Sequence, residues 1–221
     1  MWLCNSSIGR KVVMAVTGVA LILFLTFHMS MNLVAIFSAK AYNMVCEFLG
    51  ANWYALVATV GLAFLAVVHI VYAFWLTMQN RKARGSERYA VTARPAKVEW
   101  ASQNMLVLGI IILLGLILHL ANFWYNMQFQ EIIGCNTQYA ADGIYWIQQT
   151  FNSPLLAVLY IVWFVAIWFH LSHGFWSAMQ TFGWDGKVWF IRWKVIGIVY
   201  TTILMLGFVV VALAAAFHLI G

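Results

Sequence analysis

Five stretches of this sequence contain no Lys, Arg, Asp or Glu, and each is longer than the roughly 20 residues that an α-helix needs to cross a bilayer. They comprise residues 12–39, 48–80, 100–130, 143–184 and 195–221. Because lipid offers the backbone no hydrogen-bond partners, each stretch is expected to be helical. The sequence therefore predicts an all-α integral membrane bundle of five transmembrane helices, forming a single domain over residues 1–221.

The helices are predicted at residues 9–37, 52–80, 98–127, 154–182 and 188–221. Pro154 suits the first turn of the fourth helix. The connections are too short for a flavin or nucleotide domain, and no glycine-rich phosphate loop occurs in a strand–helix context. Chemistry is therefore expected inside the bundle or on a partner protein.

The basic residues are distributed unevenly between the two ends of the predicted helices. Eleven of the twelve Lys and Arg residues lie in the N-terminus and in the second and fourth connections, whereas the opposite side holds only Lys40. Cytoplasmic segments of membrane proteins carry such an excess of positive charge. We therefore expect a cytoplasmic N-terminus and an outer C-terminus. The net charge of +6 reflects this topology, so a nucleic acid is not an expected partner.

The three cysteines are Cys4, Cys46 and Cys135, and none forms a Cys-x-x-Cys pair. The sequence therefore indicates neither an iron–sulfur cluster nor a thiolate zinc site. Cys46 and Cys135 both fall in outer connections. A disulfide between them and two free thiols are both compatible with their spacing.

Each of the first four predicted helices has a histidine well inside it: His28, His69, His119 and His170. Polar side chains within a membrane are costly and usually face the interior of the bundle. Histidine is a common metal ligand and holds haem iron through a ring nitrogen. The first four helices are therefore expected to form a haem-binding core, with these histidines as ligands.

The helical rise gives the depth of each histidine in the membrane. His28 lies 18 residues after Arg10, roughly 27 Å along the helix. His119 lies 22 residues after Lys97, roughly 33 Å along the chain if it is helical throughout. Both are therefore expected in the outer half of the bilayer.

The other two histidines lie nearer the cytoplasm. His69 precedes Arg81 by 12 residues, roughly 18 Å, and His170 precedes Gly183 by 13 residues, roughly 20 Å. The four histidines thus form two levels with two in each, which is the arrangement that two bis-imidazole haems need. Glycines within the helices could let flat macrocycles or neighbouring helices approach closely; they are Gly18, Gly61, Gly109, Gly115 and Gly174.

The fourth helix contains the stretch WFHLSHGFW, residues 168–176, in which His170 opens a His-x-Ser-x-Gly sequence. Together with Gly18 ten residues before His28, and with His69-Ile-Val-Tyr in the second helix, it resembles the di-haem cytochrome b membrane subunit of succinate:quinone oxidoreductases. This family includes succinate dehydrogenases and quinol:fumarate reductases. The resemblance covers nearly the whole chain.

The resemblance implies that His69 and His170 hold the iron of an inner haem b, and that His28 and His119 hold the iron of an outer one. The family position of His173 does not require histidine. His173 is therefore expected to hydrogen-bond a haem propionate or a neighbouring helix.

The resemblance also implies partners: an FAD-containing flavoprotein and an iron–sulfur protein on the cytoplasmic face of the bacterial cytoplasmic (inner) membrane. The dicarboxylate would react on those partners. A quinone, menaquinone in the usual di-haem type, would react in this subunit on the outer side.

A quinol releases protons with its electrons, so its site needs a proton acceptor, for which a carboxylate is suitable. The outer connections offer Glu47, Glu131 and Asp142. Glu47 is favoured as the catalytic acceptor because it lies in AYNMVCEFLGANWY, an apolar stretch that could form a short interfacial helix. Glu131, just past the third helix, is the second choice.

Two other functions are compatible with parts of this pattern. A cytochrome b that anchors another oxidoreductase, such as a hydrogenase or formate dehydrogenase, would also carry haem ligands, although the His-x-Ser-x-Gly stretch argues against it. A haem-free transporter with proton-relay histidines would be expected to hold carboxylates inside the membrane. No predicted helix has an interior Asp or Glu.

Overall fold

The computed structural model describes residues 6–50, 52–84, 99–135 and 138–220, and this part of the chain is helical without β-strands. The helices are α1 Ser7–Phe37, α2 Ala39–Gly50, α3 Trp53–Arg84, α4 Trp100–Gln103, α5 Met105–His119, α6 Gln128–Ile132, α7 Gly143–Phe151, α8 Pro154–Thr181 and α9 Lys187–Ala216, with a π-helical segment Leu120–Trp124 continuing α5.

Five of these helices are long and apolar enough to span a membrane: α1, α3, α5 with its π-helical segment, α8 and α9. The prediction of an all-α bundle of five transmembrane helices is confirmed, and the chain is a multi-pass membrane protein. Most of the basic second connection, residues 85–97, lies outside the described residues, as does Cys4.

Capping residues set several helix ends close to the predicted bounds. The Ser6 hydroxyl accepts the backbone N–H of Gly9 at 2.9 Å and begins α1. Pro154 occupies the first turn of α8, as predicted, directly after the N-cap Ser153. Gly183 adopts a left-handed conformation, φ +80°, just after α8, where a residue with a Cβ would be strained.

The third transmembrane helix differs from the continuous helix predicted at 98–127. Asn104 separates α4 from α5, and its side chain donates to the carbonyl of Trp100 at 2.9 Å, in competition with the regular backbone pattern. Beyond His119 the hydrogen bonds widen to the π pattern, with the N–H of Tyr125 bonded to the carbonyl of Leu120 at 2.8 Å.

The packing core is centred on α8, which lies against α1, α5 and α9, while α1 also contacts α3. The fifth transmembrane helix, α9, contributes fully buried side chains such as Thr201 and Leu204. In contrast, α3 and α5 bury few residues and touch each other only slightly. The four-helix arrangement that carries the interior histidines is therefore held together mainly by α8, α1 and α9.

The short helices α2 and α7 pack together at the end of the bundle where α1 ends; the sequence suggested one short helix there. Helix α2 forms in the AYNMVCEFLGANWY stretch, as expected, and α7 forms within the predicted connection 128–153. They are joined by Asn43, which donates to Asp142 at 2.8 Å and accepts the backbone N–H of Ile144 at 3.0 Å. Asp142 also caps α7 through the N–H of Tyr145.

Candidate functional site

The four interior histidines meet in two pairs. The ring centres of His28 on α1 and His119 on α5 are 5.8 Å apart, with an angle of 84° between the ring planes. Those of His69 on α3 and His170 on α8 are 6.4 Å apart at 72°. The structure thus brings together the same partners that the resemblance implies, and each pair joins two transmembrane helices.

The separation within each pair suits two imidazoles that share one metal ion. Such rings have their centres roughly 6 Å apart, because a metal–nitrogen bond is about 2.0 Å and a ring nitrogen lies about 1.1 Å from the centre. The described residues contain no group of three or more His, Cys, Asp or Glu side chains that could hold a metal ion. Within the described residues, each pair therefore offers two imidazole nitrogens as possible metal ligands.

Unpaired polar atoms mark the same pairs. Among the described residues, Nδ1 of His119 and Nδ1 of His170 are both buried without a hydrogen-bond partner. Buried polar atoms in proteins are nearly always paired, so each unpaired atom needs an explanation. A histidine kept in an apolar bundle at this cost is typical of a functional residue in a membrane protein.

Aromatic rings surround the His28–His119 pair. His28 is stacked on Phe24 at 5.5 Å and lies 5.7 Å from Phe208 of α9, measured between ring centres. His119 lies 5.7 Å from Trp163 of α8. This environment is apolar and bulky, so it limits where a flat ligand could lie between the helices.

Trp163 fixes the helix that carries His119. Its indole N–H donates to the backbone carbonyl of Ile112 at 3.0 Å, so the ring is held against α5. This approach is possible because residue 115 is glycine: a Cβ atom there would overlap the Trp163 ring. His119 follows one turn later, at the point where α5 becomes π-helical.

The His69–His170 pair has a different environment. Nδ1 of His69 lies 3.0 Å from the hydroxyl oxygen of Thr17 on α1. A Cβ atom at Gly18 would lie 3.4 Å from Cε1 of the same ring, so α1 approaches the imidazole edge closely there. At Gly61, Gly109 and Gly174, an added Cβ would meet no atom within 4 Å, so those three glycines do not mediate close helix contacts in the structure.

The two histidines of WFHLSHGFW have different partners. His170 faces His69, whereas Nδ1 of His173 lies 3.5 Å from Oε2 of Glu99, at the upper limit of a hydrogen bond. The other Glu99 oxygen pairs with Lys194 of α9 at 2.6 Å. Partial burial alone would raise the pKa of Glu99, but the hydrogen bond and charge of Lys194, with a smaller contribution from His173, lower it. His173 therefore belongs to a polar cluster beside the histidine pair.

The outer carboxylates occupy distinct environments. Glu47 is exposed on α2, one turn before Gly50, and the Glu131 carboxylate packs against Gly50, where a Cβ atom would lie 2.6 Å from Oε2. That Oε2 is buried and has no hydrogen-bond partner among the described residues. Burial, together with the negative charge of Glu47, raises the pKa of Glu131. Asp142 instead serves as a helix cap, which leaves Glu47 and Glu131 as the proton-accepting candidates.

Cys46 and Cys135 are free thiols, which resolves the alternative that the sequence left open. Cys46, on α2, packs against Gly143, and burial, assisted by the charge of Asp142, raises the pKa of its thiol to about 11. Such a thiol stays protonated near neutral pH and is poorly reactive.

Thr17, Trp163 and Glu99 are among the residues that contact the histidines and that sequence reasoning missed. Thr17 and Trp163 lie in apolar stretches where neither is unusual, since hydroxyls can bond their own helix and tryptophans are common in membrane proteins. Glu99 had a weak signal, because it is the carboxylate closest in sequence to the start of the third transmembrane helix.

Comparison with protein families, curated proteins and solved structures finds no match to this chain.

Proposed function

We propose that this chain is the di-haem cytochrome b membrane subunit of a succinate:quinone oxidoreductase, with His28 and His119 as ligands of an outer haem b and His69 and His170 as ligands of an inner one. The observation that carries the proposal is the pairing of four interior histidines at ring-centre distances of 5.8 and 6.4 Å. Bound there, two haems would supply one-electron redox centres at two depths of the membrane.

The surroundings of the pairs support this proposal. Phe24, Phe208 and Trp163 place aromatic rings beside the outer pair, so its surroundings are largely apolar. In a low-dielectric site of this kind, the polarity and burial around a metal set its reduction potential. The different neighbours of the inner pair would give the two centres different potentials.

Quinone chemistry is proposed at the outer end, where Glu47 and Glu131 lie. Glu131 has the more buried carboxylate and a raised pKa, so it is the better base to accept a proton directly from a quinol. Glu47 is exposed and would pass the proton to the outer water. In this proposal Glu47, which the sequence favoured as the acceptor, receives the proton from Glu131. Menaquinone is the proposed quinone.

The proposed partners are an iron–sulfur subunit and an FAD-containing flavoprotein on the cytoplasmic face of the bacterial inner membrane. The chain itself offers little soluble structure: its described helices outside the membrane are at most 12 residues long. Succinate or fumarate would therefore react on the partners. The Glu99–Lys194–His173 cluster lies near the start of the third transmembrane helix and the end of the fourth, on the side where these partners would dock.

The proposal is tested by isolating the native complex from membranes in mild detergent. We expect the chain to co-purify with a flavoprotein and an iron–sulfur protein, with two b haems for each copy of the chain and with succinate:quinone activity. Two haems together with different partner subunits would support a cytochrome b anchor of another oxidoreductase instead. A preparation that contains neither b haem nor these subunits would refute the proposal.

A further inference from the structure

We propose that Thr17 is a positioning residue for His69: its hydroxyl oxygen accepts the Nδ1 proton of the imidazole, leaves Nε2 free to bind metal, and lowers the reduction potential of the inner haem. This inference rests on the proposed function, because it concerns one of the proposed haem ligands. It assigns a role to a residue that lies eleven positions before His28 in α1 and is not itself a metal ligand.

The direction of the hydrogen bond follows from the contacts of the Thr17 hydroxyl. Its oxygen lies 2.8 Å from the carbonyl oxygen of Val13 and 3.2 Å from that of Met14, and both carbonyls can only accept. A threonine hydroxyl has one proton, which is used within its own helix in this common arrangement. The contact of 3.0 Å with Nδ1 of His69 therefore has the imidazole as donor and Thr17 as acceptor.

The orientation of the ring has a second support. Thr17 is only 4% exposed, so water does not compete for this hydrogen bond. The neighbouring residue is Gly18, and a Cβ atom added there would lie 3.4 Å from Cε1 of His69. Helix α1 thus runs directly beside the Nδ1–Cε1 edge of His69, where Thr17 makes the polar contact. A neutral imidazole with its proton on Nδ1 presents a lone pair at Nε2.

The contact distinguishes His69 from two of the other proposed ligands. Within the described part of the chain, Nδ1 of His119 and Nδ1 of His170 are buried without hydrogen-bond partners. An acceptor at Nδ1–H increases the basicity of the ligating nitrogen and strengthens metal binding. A more basic ligand favours the oxidised iron, so the Thr17 hydroxyl would lower the potential of the inner centre.

The test compares Thr17→Val with Thr17→Ser in the purified native complex. Valine has nearly the same shape as threonine but lacks the hydroxyl, whereas serine retains it. Thr26→Val is a matched control, because Thr26 is also on α1 and also bonds its own helix, through the carbonyl of Ile22 at 2.9 Å. The readouts are the haem content per chain, the rate of haem loss to a haem-scavenging protein, and a redox titration that resolves the two haems. A His69→Ala complex identifies which component is the inner one.

We expect Thr17→Val to weaken retention of the inner haem by about 10-fold or more, the lower end of the effect seen when a group supporting a metal ligand is removed. The inner haem that remains should have a higher midpoint potential. Thr17→Ser should restore both properties, and Thr26→Val should leave the inner component unchanged.

Two results would overturn this inference but not the proposed function. One is a Thr17→Val complex whose inner haem has the retention and midpoint potential of the wild type. The other is equal loss of the inner haem from the Thr17→Val and Thr17→Ser complexes. A wild-type complex without b haem would instead refute the proposed function, and this inference with it.

Discussion

At the residue scale, the carboxylates Glu47 and Glu131 are not equivalent. Glu131 packs against Gly50 and has one buried oxygen without a hydrogen-bond partner among the described residues, whereas Glu47 is exposed. A group that takes a proton from a quinol must be deprotonated when the quinol binds. As the pH falls through the raised pKa of Glu131, this carboxylate becomes protonated. Quinone-linked turnover should therefore decrease on the acid side of its pH profile.

Glu131→Gln should therefore lower quinone-linked turnover by about 100-fold, the lower end of the range for general base catalysis. It should keep both haems and succinate oxidation with an artificial acceptor. Glu47→Gln should also impair quinone-linked turnover. Its residual activity should have an acid limb at lower pH, because the Glu47 charge no longer raises the pKa of Glu131. Normal quinone-linked turnover in Glu47→Gln would exclude Glu47, and normal turnover in both variants would exclude the pair.

Some features of the candidate site could be predicted from the sequence and others could not. The four interior histidines are conspicuous because imidazoles are costly in lipid, and their two levels follow from helical rise. The role of Thr17 depends on a contact with a residue 52 positions away, which no local pattern encodes. The separate environments of His170 and His173 likewise depend on α3 and on Glu99.

At the scale of single elements, the contact between α5 and α8 at Gly115 sets the place of His119. An added Cβ at this position would overlap the Trp163 ring, which is held by its hydrogen bond to Ile112. A flexible side chain could move away from an added methyl group. The Trp163 indole is instead bonded to Ile112 between two helices, so we expect the methyl group to displace α5.

Gly115→Ala should therefore remove or strongly perturb the outer haem while the inner haem remains. Gly109→Ala is the matched control, because it lies on the same helix and its Cβ would meet no atom within 4 Å. Absorption spectra and haem content of the two purified complexes would decide. If Gly115→Ala retains an unperturbed outer haem, the Trp163 contact does not position His119.

The elements themselves were predictable to different degrees. The long helices follow from hydropathy, and the short helix α2 from its apolar pattern. The break at Asn104 and the π-helical segment after His119 depend on side-chain and backbone hydrogen bonds that a hydropathy pattern does not contain. The large contribution of α9 to the core was also hidden, because a uniformly apolar helix does not reveal which face meets protein and which meets lipid.

At the scale of the whole molecule, the charge distribution predicts the orientation in the membrane. The connection 81–97 carries six of the twelve Lys and Arg residues and should lie in the cytoplasm. Cys135, which is exposed, belongs to the opposite side.

A chain with Cys135 as its only cysteine should react with a membrane-impermeant thiol reagent in intact spheroplasts. A chain with only the introduced thiol of Ser86→Cys should react after the membrane is permeabilised. The reverse pattern would invert the topology and, with it, the inner and outer assignment of the histidine pairs.

The central claim is that the bundle holds two haems between two specific pairs of histidines. The most direct measurement is the haem content and reduced-minus-oxidised spectrum of the purified complex with alanine at one histidine at a time. Two b haems are predicted in the wild type. His28→Ala and His119→Ala should lose the same component, His69→Ala and His170→Ala the other, and His173→Ala should retain both. Loss of a haem in His173→Ala with retention in His170→Ala, losses that follow a different pairing, or a wild-type complex without haem would contradict the claim.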